Sequence, residues 1–306
     1  ISYGYLPFND AAQVGRVKSD GYDIQAWPEW GITYITLNFA SPQVGAIFKQ
    51  LYVRQAMQHL INQASYISAF LQGYGNPTYG PVPLVPNSQF VSSQEKQNPY
   101  PYNPAAATTL LSDHGWKIVP NGTDVCMQPG SAANECGPGV AAGAKLAVNL
   151  EYSTGVQAAD EEVAALQSSF SQAGIKITPS GGSFDTVVGD DVACAKSNCW
   201  QMNYYGQGWF FDPGYNDPDG SAIFQTGSAD NSGAYDSTTN DANDNKLPSG
   251  GLPALDNYQN YLAQQLPVLW MPQFDNQISA VSNKLKGTYP QDPLGNIYPE
   301  NWYFVK

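Results

Sequence analysis

The sequence predicts an α/β chain, and three observations carry that reading. Apolar residues recur at helical spacing from Phe48 to about Leu71. Short runs rich in β-branched and aromatic residues, such as Ile32–Phe39, alternate with the helical segments. The resulting order is β, α, α, β, α, β, α, β, α, β, the alternation expected of helices packed on a sheet.

Residues 1–31 hold Gly, Pro and aromatics with no sustained period and read as loop-rich. The first strand is ITYITLNF, Ile32 to Phe39. The first helix carries Leu51, Val53, Ala56, Met57, Leu60, Ile61, Ala64, Ile67 and Leu71, and Gly73 and Gly75 end it. Four prolines keep Asn76–Asn87 extended. Asn103 followed by Pro104 is a helix start, an amide cap before a ring with a preset φ. That helix runs to Gly115. Residues 120–144 form a Gly-rich surface excursion. Lys145–Tyr152 reads as a strand, Gln157–Ala173 as an amphipathic helix, Ile175–Thr178 as a short strand and Phe184–Val188 as the start of a helix. Trp200–Tyr205 is a strand candidate, Leu255–Leu266 a helix, and Pro267–Phe274 a buried strand before an irregular aromatic tail.

Composition limits function. The 306 residues carry 26 Asp+Glu against 13 Lys+Arg, a net charge of −13, which excludes the basic stripe that nucleic acid requires. Charged residues are 13% of the chain, about half the usual ~25%. The polar remainder is Asn, Gln, Ser, Thr and Gly, which points to an extracytoplasmic protein. No apolar run reaches the ~20 residues of a membrane helix. The chain begins at Ile1 without a leader, so any secretion signal is expected to have been removed or to lie upstream.

The four cysteines, Cys126, Cys136, Cys194 and Cys199, allow three pairings. Proximity favours Cys126–Cys136 and Cys194–Cys199, and an oxidising compartment favours disulfides over metal. Neither spacing suits zinc, and the two histidines, His59 and His114, lie far away in sequence. No metal or cofactor is therefore expected.

Catalytic signals are weak. There is no G-x-S-x-G elbow. His59 lies inside a helix, and His114 at a helix end is placed to cap carbonyls. Asp160, Glu161 and Glu162 read as a solvated first helical turn. Asp241, Asn243 and Asn245 start like a calcium loop, but Lys246 stands where glycine is needed. Asn121-Gly-Thr123 is the single N-glycosylation sequon. The segment Gly208–Gly220 (GWFFDPGYNDPDG) differs. It sets Trp209, Phe210 and Phe211 beside Asp212, Asp217 and Asp219, an arrangement able to hold an ammonium group by charge and by ring faces. A turn with aromatics that merely join the core is the plainer alternative.

Several segments, in order, resemble the peptide/nickel class (family 5) of ABC-transporter extracellular solute-binding proteins. They are Tyr34-Ile35-Thr36-Leu37-Asn38, Leu51-Tyr52-Val53-Arg54-Gln55-Ala56-Met57, and Gly73-Tyr74-Gly75-Asn76-Pro77 leading to Gly80-Pro81-Val82-Pro83. Tyr102-Asn103-Pro104 with Leu110-Leu111 and Gly115-Trp116 follows, then Leu266-Pro267-Val268-Leu269-Trp270-Met271-Pro272, then the closing stretch from Gly287 to Lys306. Two departures stand out: Gln50-Leu51-Tyr52 replaces the family's Asp before the first Val-Arg, and Asn62 replaces another Asp.

The resemblance implies a periplasmic-binding-protein-like (type II) lobe, with a mixed sheet flanked by helices, plus part of a second lobe. Residues 34–275 would form the C-terminal ligand-binding lobe, and 1–33 with 276–306 part of the first. The family's N-terminal half is not recognised, so this chain is expected to be the C-terminal portion. It also implies transport rather than catalysis: a small solute, chiefly a peptide, is bound and delivered to an ABC permease. The membrane would be met only through the permease or a lipid anchor outside this chain. Residue by residue, Asp212 falls three positions after Trp209, where the family places the partner of a peptide's α-ammonium. Asp217 is its rival, Trp209 a pocket wall, and Phe211 a neighbour. The reading from another class is a secreted carbohydrate-active enzyme or sugar-binding module, suggested by the aromatic-rich, Lys/Arg-poor composition.

Overall fold

A computed structural model describes residues 1–306 apart from 194–199, 207–208, 212–220 and 276. In chain order its principal elements are β1 (Tyr3–Leu6), α1 (Val14–Ser19), β2 (Tyr22–Trp27), β3 (Gly31–Leu37), α2 (Leu51–Gln58), α3 (Gln63–Ala69) and α4 (Pro104–Asp113). There follow β4 (Ala147–Ser153), α5 (Gln157–Gln172), β5 (Lys176–Gly182), α6 (Phe184–Ala193), β6 (Met202–Tyr204) and β7 (Trp209–Phe210). The last are α7 (Leu247–Gln265), β8 (Val268–Met271) and β9 (Gln277–Ser282).

A mixed sheet dominates. β4 lies between β5 and β6 and is parallel to both, while β3 is antiparallel to β6, β7 and β8. Every residue of β3 is buried, because helices or loops cover both faces of the strand. A second, three-stranded antiparallel sheet in the order β1-β9-β2 is built from the two ends of the chain. The backbone passes between the two sheets twice, from Trp27 to Gly31 and from Met271 to Gln277. The second passage is tied to β3: Thr33 Oγ1 donates to Gln273 Oε1 at 2.6 Å. Gly31 permits this contact, since a Cβ there would stand 2.7 Å from Gln273 Nε2.

The structure corrects several expectations. The terminal segments expected to be loop-rich and irregular hold β1, α1, β2 and β9. The continuous helix from Phe48 to Leu71 is instead three pieces, Gly45–Phe48, α2 and α3. Its break at residues 59–62 has a local cause: Asn62 accepts a bond from Ser65 N and caps α3. The helix expected to begin at Leu255 begins at Leu247 and is kinked where Gly251 takes φ +59°. The strand Pro267–Phe274 is interrupted at Pro272, which has no amide to donate.

Other features follow the sequence. Asn103 accepts from Ala106 N at 3.0 Å and caps α4. His114 Nδ1 lies 2.7 Å from Leu110 O, and its ring stacks on Tyr52 at 3.8 Å. Asp241 and Asn243 sit in a helix, Thr238–Asp244, and not in a calcium loop. Glu162 is a correction: it is fully buried at a core-facing position of α5, in register with Ala159, Leu166 and Phe170, and accepts from the Tyr204 hydroxyl at 2.6 Å.

Candidate functional site

The large sheet and the loops beyond it enclose a cavity of about 170 Å³. β3 contributes Tyr34 and Thr36, alternate residues and so on one face. The end of α6 contributes Val188, Asp191 and Val192; Tyr205 and Trp209 follow β6; residues 229–235 close the side. Asn231 shapes that closing loop. Its amide donates to Gln225 O and Tyr235 O, at 2.9 and 2.8 Å, and accepts from Tyr235 N at 2.9 Å. The loop is pressed against the end of β3 by Phe39 N donating to Gly233 O, and a Cβ on Gly233 would meet Leu37 O at 2.5 Å.

The wall is aromatic and acidic. Tyr34, Tyr205, Trp209, Phe224 and Tyr235 supply rings, Asp191 and Asp230 supply carboxylates, and no Lys, Arg or His lines the cavity among the described residues. Asp191 is only 8% exposed. Burial pushes its carboxyl up to about 6, and a hydrogen bond from Ser232 holds it down in part. Its Oδ1 has no hydrogen-bond partner among the described residues, and neither has the buried Nε1 of Trp209. The Tyr34 phenol is pushed well up, first by burial and then by the neighbouring Tyr205 and the two carboxylates.

Of the residues expected to bind ligand, Trp209 is in the cavity wall. Phe211 is buried elsewhere, 5.9 Å from the Trp30 ring and 5.8 Å from that of Phe90, and packs as core. Asp212 and Asp217 lie outside the described residues. So do Cys194 and Cys199, whereas Cys126 and Cys136 form a disulfide. Asp191, Asp230, Tyr205 and Tyr235 were not legible as site residues. No motif marks them; only the meeting of α6, β6 and the 229–235 loop brings them together.

The model of the family described as bacterial extracellular solute-binding proteins, family 5 Middle, matches residues 3–233. The chain belongs to that family. Among curated relatives, the glutathione-binding protein GsiB of Pectobacterium atrosepticum is 33% identical over 117 residues, 38% of this chain and 20% of that protein. Heme-binding protein A of Haemophilus influenzae is 29% identical over 133 residues, 43% of this chain and 22% of that one. Among solved structures, the oligopeptide-binding protein AppA of Bacillus subtilis, in complex with a nonapeptide, aligns with a TM-score of 0.72 at 19% identity. That alignment covers 100% of this chain and 56% of AppA. NikA of Staphylococcus aureus, in complex with Ni(L-His)2, aligns with a TM-score of 0.67 at 17% identity, covering 96% of this chain and 55% of NikA. The chain therefore spans about a fifth of these curated relatives in sequence and just over half of the solved structures. The fold is that of the periplasmic binding proteins of family 5, and the family and its structural neighbours are binding proteins.

Proposed function

We propose that this chain is the ligand-binding part of an extracytoplasmic solute-binding protein that captures peptides and hands them to an ABC permease. The cavity beside Trp209 carries the reading: its wall includes Trp209, from the segment that resembles the family's ligand segment, and two of its buried polar atoms have no partner among the described residues. Asp212, with Asp217 as its rival, is assigned to the ligand's ammonium end and Trp209 to the wall. The two passages between sheets, Trp27–Gly31 and Met271–Gln277, are assigned as the hinge about which two lobes close. The boundary expected at 33/34 falls inside β3, so the lobe with the cavity runs from β3 to β8, and residues 1–27 with 277–306 form part of the other. No chemistry is performed on the ligand. The family described by its model is extracellular, which fits the disulfide and the low Lys/Arg content. Contact with the membrane is assigned to the permease or to a lipid anchor outside this chain.

A thermal-shift panel tests this. Tripeptides at millimolar concentration should raise the melting temperature of the chain, oligosaccharides of similar mass should not, and the peptides should be recovered intact. Stabilisation by oligosaccharides alone, or cleavage of either ligand, would overturn the proposal in favour of a carbohydrate-active or hydrolytic protein.

A further inference from the structure

We infer that the cavity between α6, β3 and the 229–235 loop is a socket for an organic cation, an ammonium or guanidinium group on a short apolar stem. The inference deepens the solute-binding reading and rests on it for the ligand's source. Three independent features converge. The first is an unmet acceptor: Asp191 is 92% buried by its 8% exposure, lines the cavity, and leaves Oδ1 unpartnered among the described residues. A buried acceptor in this condition can take a charge-assisted hydrogen bond from a donor brought in by a ligand. The second is the sign of the field. Asp191 and Asp230 both push the phenols of Tyr34 and Tyr205 up, after burial itself, so the two carboxylates act across the same pair of rings. No cationic side chain among the described residues lines the cavity to answer them. The third is the lining: Tyr34, Tyr205 and Trp209 put aromatic side chains in the wall, and aromatic rings attract a cation and exclude water from it.

Size and surroundings define the rest of the ligand. About 170 Å³ is room enough for one side-chain-sized group. The approach is apolar. Phe184, Val188 and Val192 recur every fourth residue along α6, which places them on one helical face, and Phe184 and Val192 are exposed at 46% and 70%. Val188 and Val192 also line the cavity, so this stripe leads into it and suits a methylene stem behind the charged head.

The test titrates the 306-residue chain, at constant chloride, with n-butylammonium and with the neutral alcohol 1-pentanol, whose stem is one methylene longer. The readout is the indole N–H resonance of Trp209, identified through Trp209→Phe. A saturable millimolar shift with butylammonium, absent with pentanol and weakened about tenfold in Asp191→Asn, is the expected result. Asp230→Asn, which removes the second charge without touching the orphaned acceptor, should weaken it less. A cooperative melting transition no lower than that of the parent chain shows that both variants fold. Equal shifts with pentanol, no shift with butylammonium, or full affinity in a folded Asp191→Asn chain overturns the socket. If tripeptides stabilise the chain with no preference for a cationic side chain, the socket falls and the solute-binding reading stands. If butylammonium binds through Asp191 while tripeptides do not bind, the socket stands and that reading falls.

Discussion

Gln58 shows at the scale of one residue how an amide-rich, charge-poor chain is held together. Its side chain is buried, donates to Trp270 O at 3.0 Å and accepts from Trp270 N at 2.9 Å, so it completes the backbone of β8 as a neighbouring strand would. Gln63 does the same for Thr78, and Gln259 for Phe90 and Ser92. Buried backbone groups must be paired, and a neutral amide pairs a donor and an acceptor together without the cost of burying charge. Gln58→Ala should therefore cost about 1–2 kcal/mol, because it strands the buried Trp270 N, whereas Trp270 O keeps its bond from Gln63 at 3.1 Å; urea denaturation measures it. Glu162 follows the opposite logic. Burial pushes its carboxyl up to about 8, although the Tyr204 hydroxyl favours the charged form. The folded state thus binds a proton more tightly than the unfolded one, so stability is fully present below about pH 4.5 and is lost as pH rises through about 8. Glu162→Gln keeps an acceptor for Tyr204 and should stabilise the fold at pH 8 by on the order of 2 kcal/mol, with little effect at pH 5.

Elements differ in how openly the sequence declares them. α4 is legible at both ends, since Asn103, Pro104 and Gly115 are local signals whose physics acts within a few residues. β3 is legible because its β-branched run suits a fully buried strand. β1, β2 and β9 are not, because each is short and stabilised only by partners some 250 residues away or more in the β1–β9 and β2–β9 pairs, and pairing leaves no local mark. Glu162 could have been placed from spacing, since it falls in the apolar period of α5; its charge hid the pattern. The candidate site divides likewise: Trp209 stands in a conspicuous aromatic segment, whereas Asp191 and Asp230 become neighbours only through tertiary structure. The excursion after α4 is clipped by Cys126–Cys136, which closes a loop of sequence separation 10. Removing the clip with Cys136→Ala should cost about 2–3 kcal/mol if loop entropy dominates, read as a lower midpoint in urea.

At the scale of the whole molecule, carboxylates decide how stability responds to pH. Besides Glu162, burial raises Glu29 to about 7, Asp275 to about 6, Asp124 to about 6 and Asp191 to about 6. Asp275 adds to the rise of Glu29, and the two stand on the two passages between sheets. Each group is better protonated in the folded chain, so each withdraws stability as pH climbs from its unfolded value to its folded one. With a net charge of −13 acting in the same direction, the melting temperature should be highest near about pH 5 and fall toward pH 8. Scanning calorimetry across that range checks this, and a melting temperature that rises from pH 5 to 8 would contradict it. In the proposed reading, the acidic, aromatic cavity is a socket on one of two lobes that close about the two passages. The most direct measurement of that account is native mass spectrometry of the protein purified from its own cells. A bound, unmodified peptide carrying a cationic group, released on denaturation, is the predicted result. A bound oligosaccharide, or a ligand recovered as cleavage products, would contradict the account.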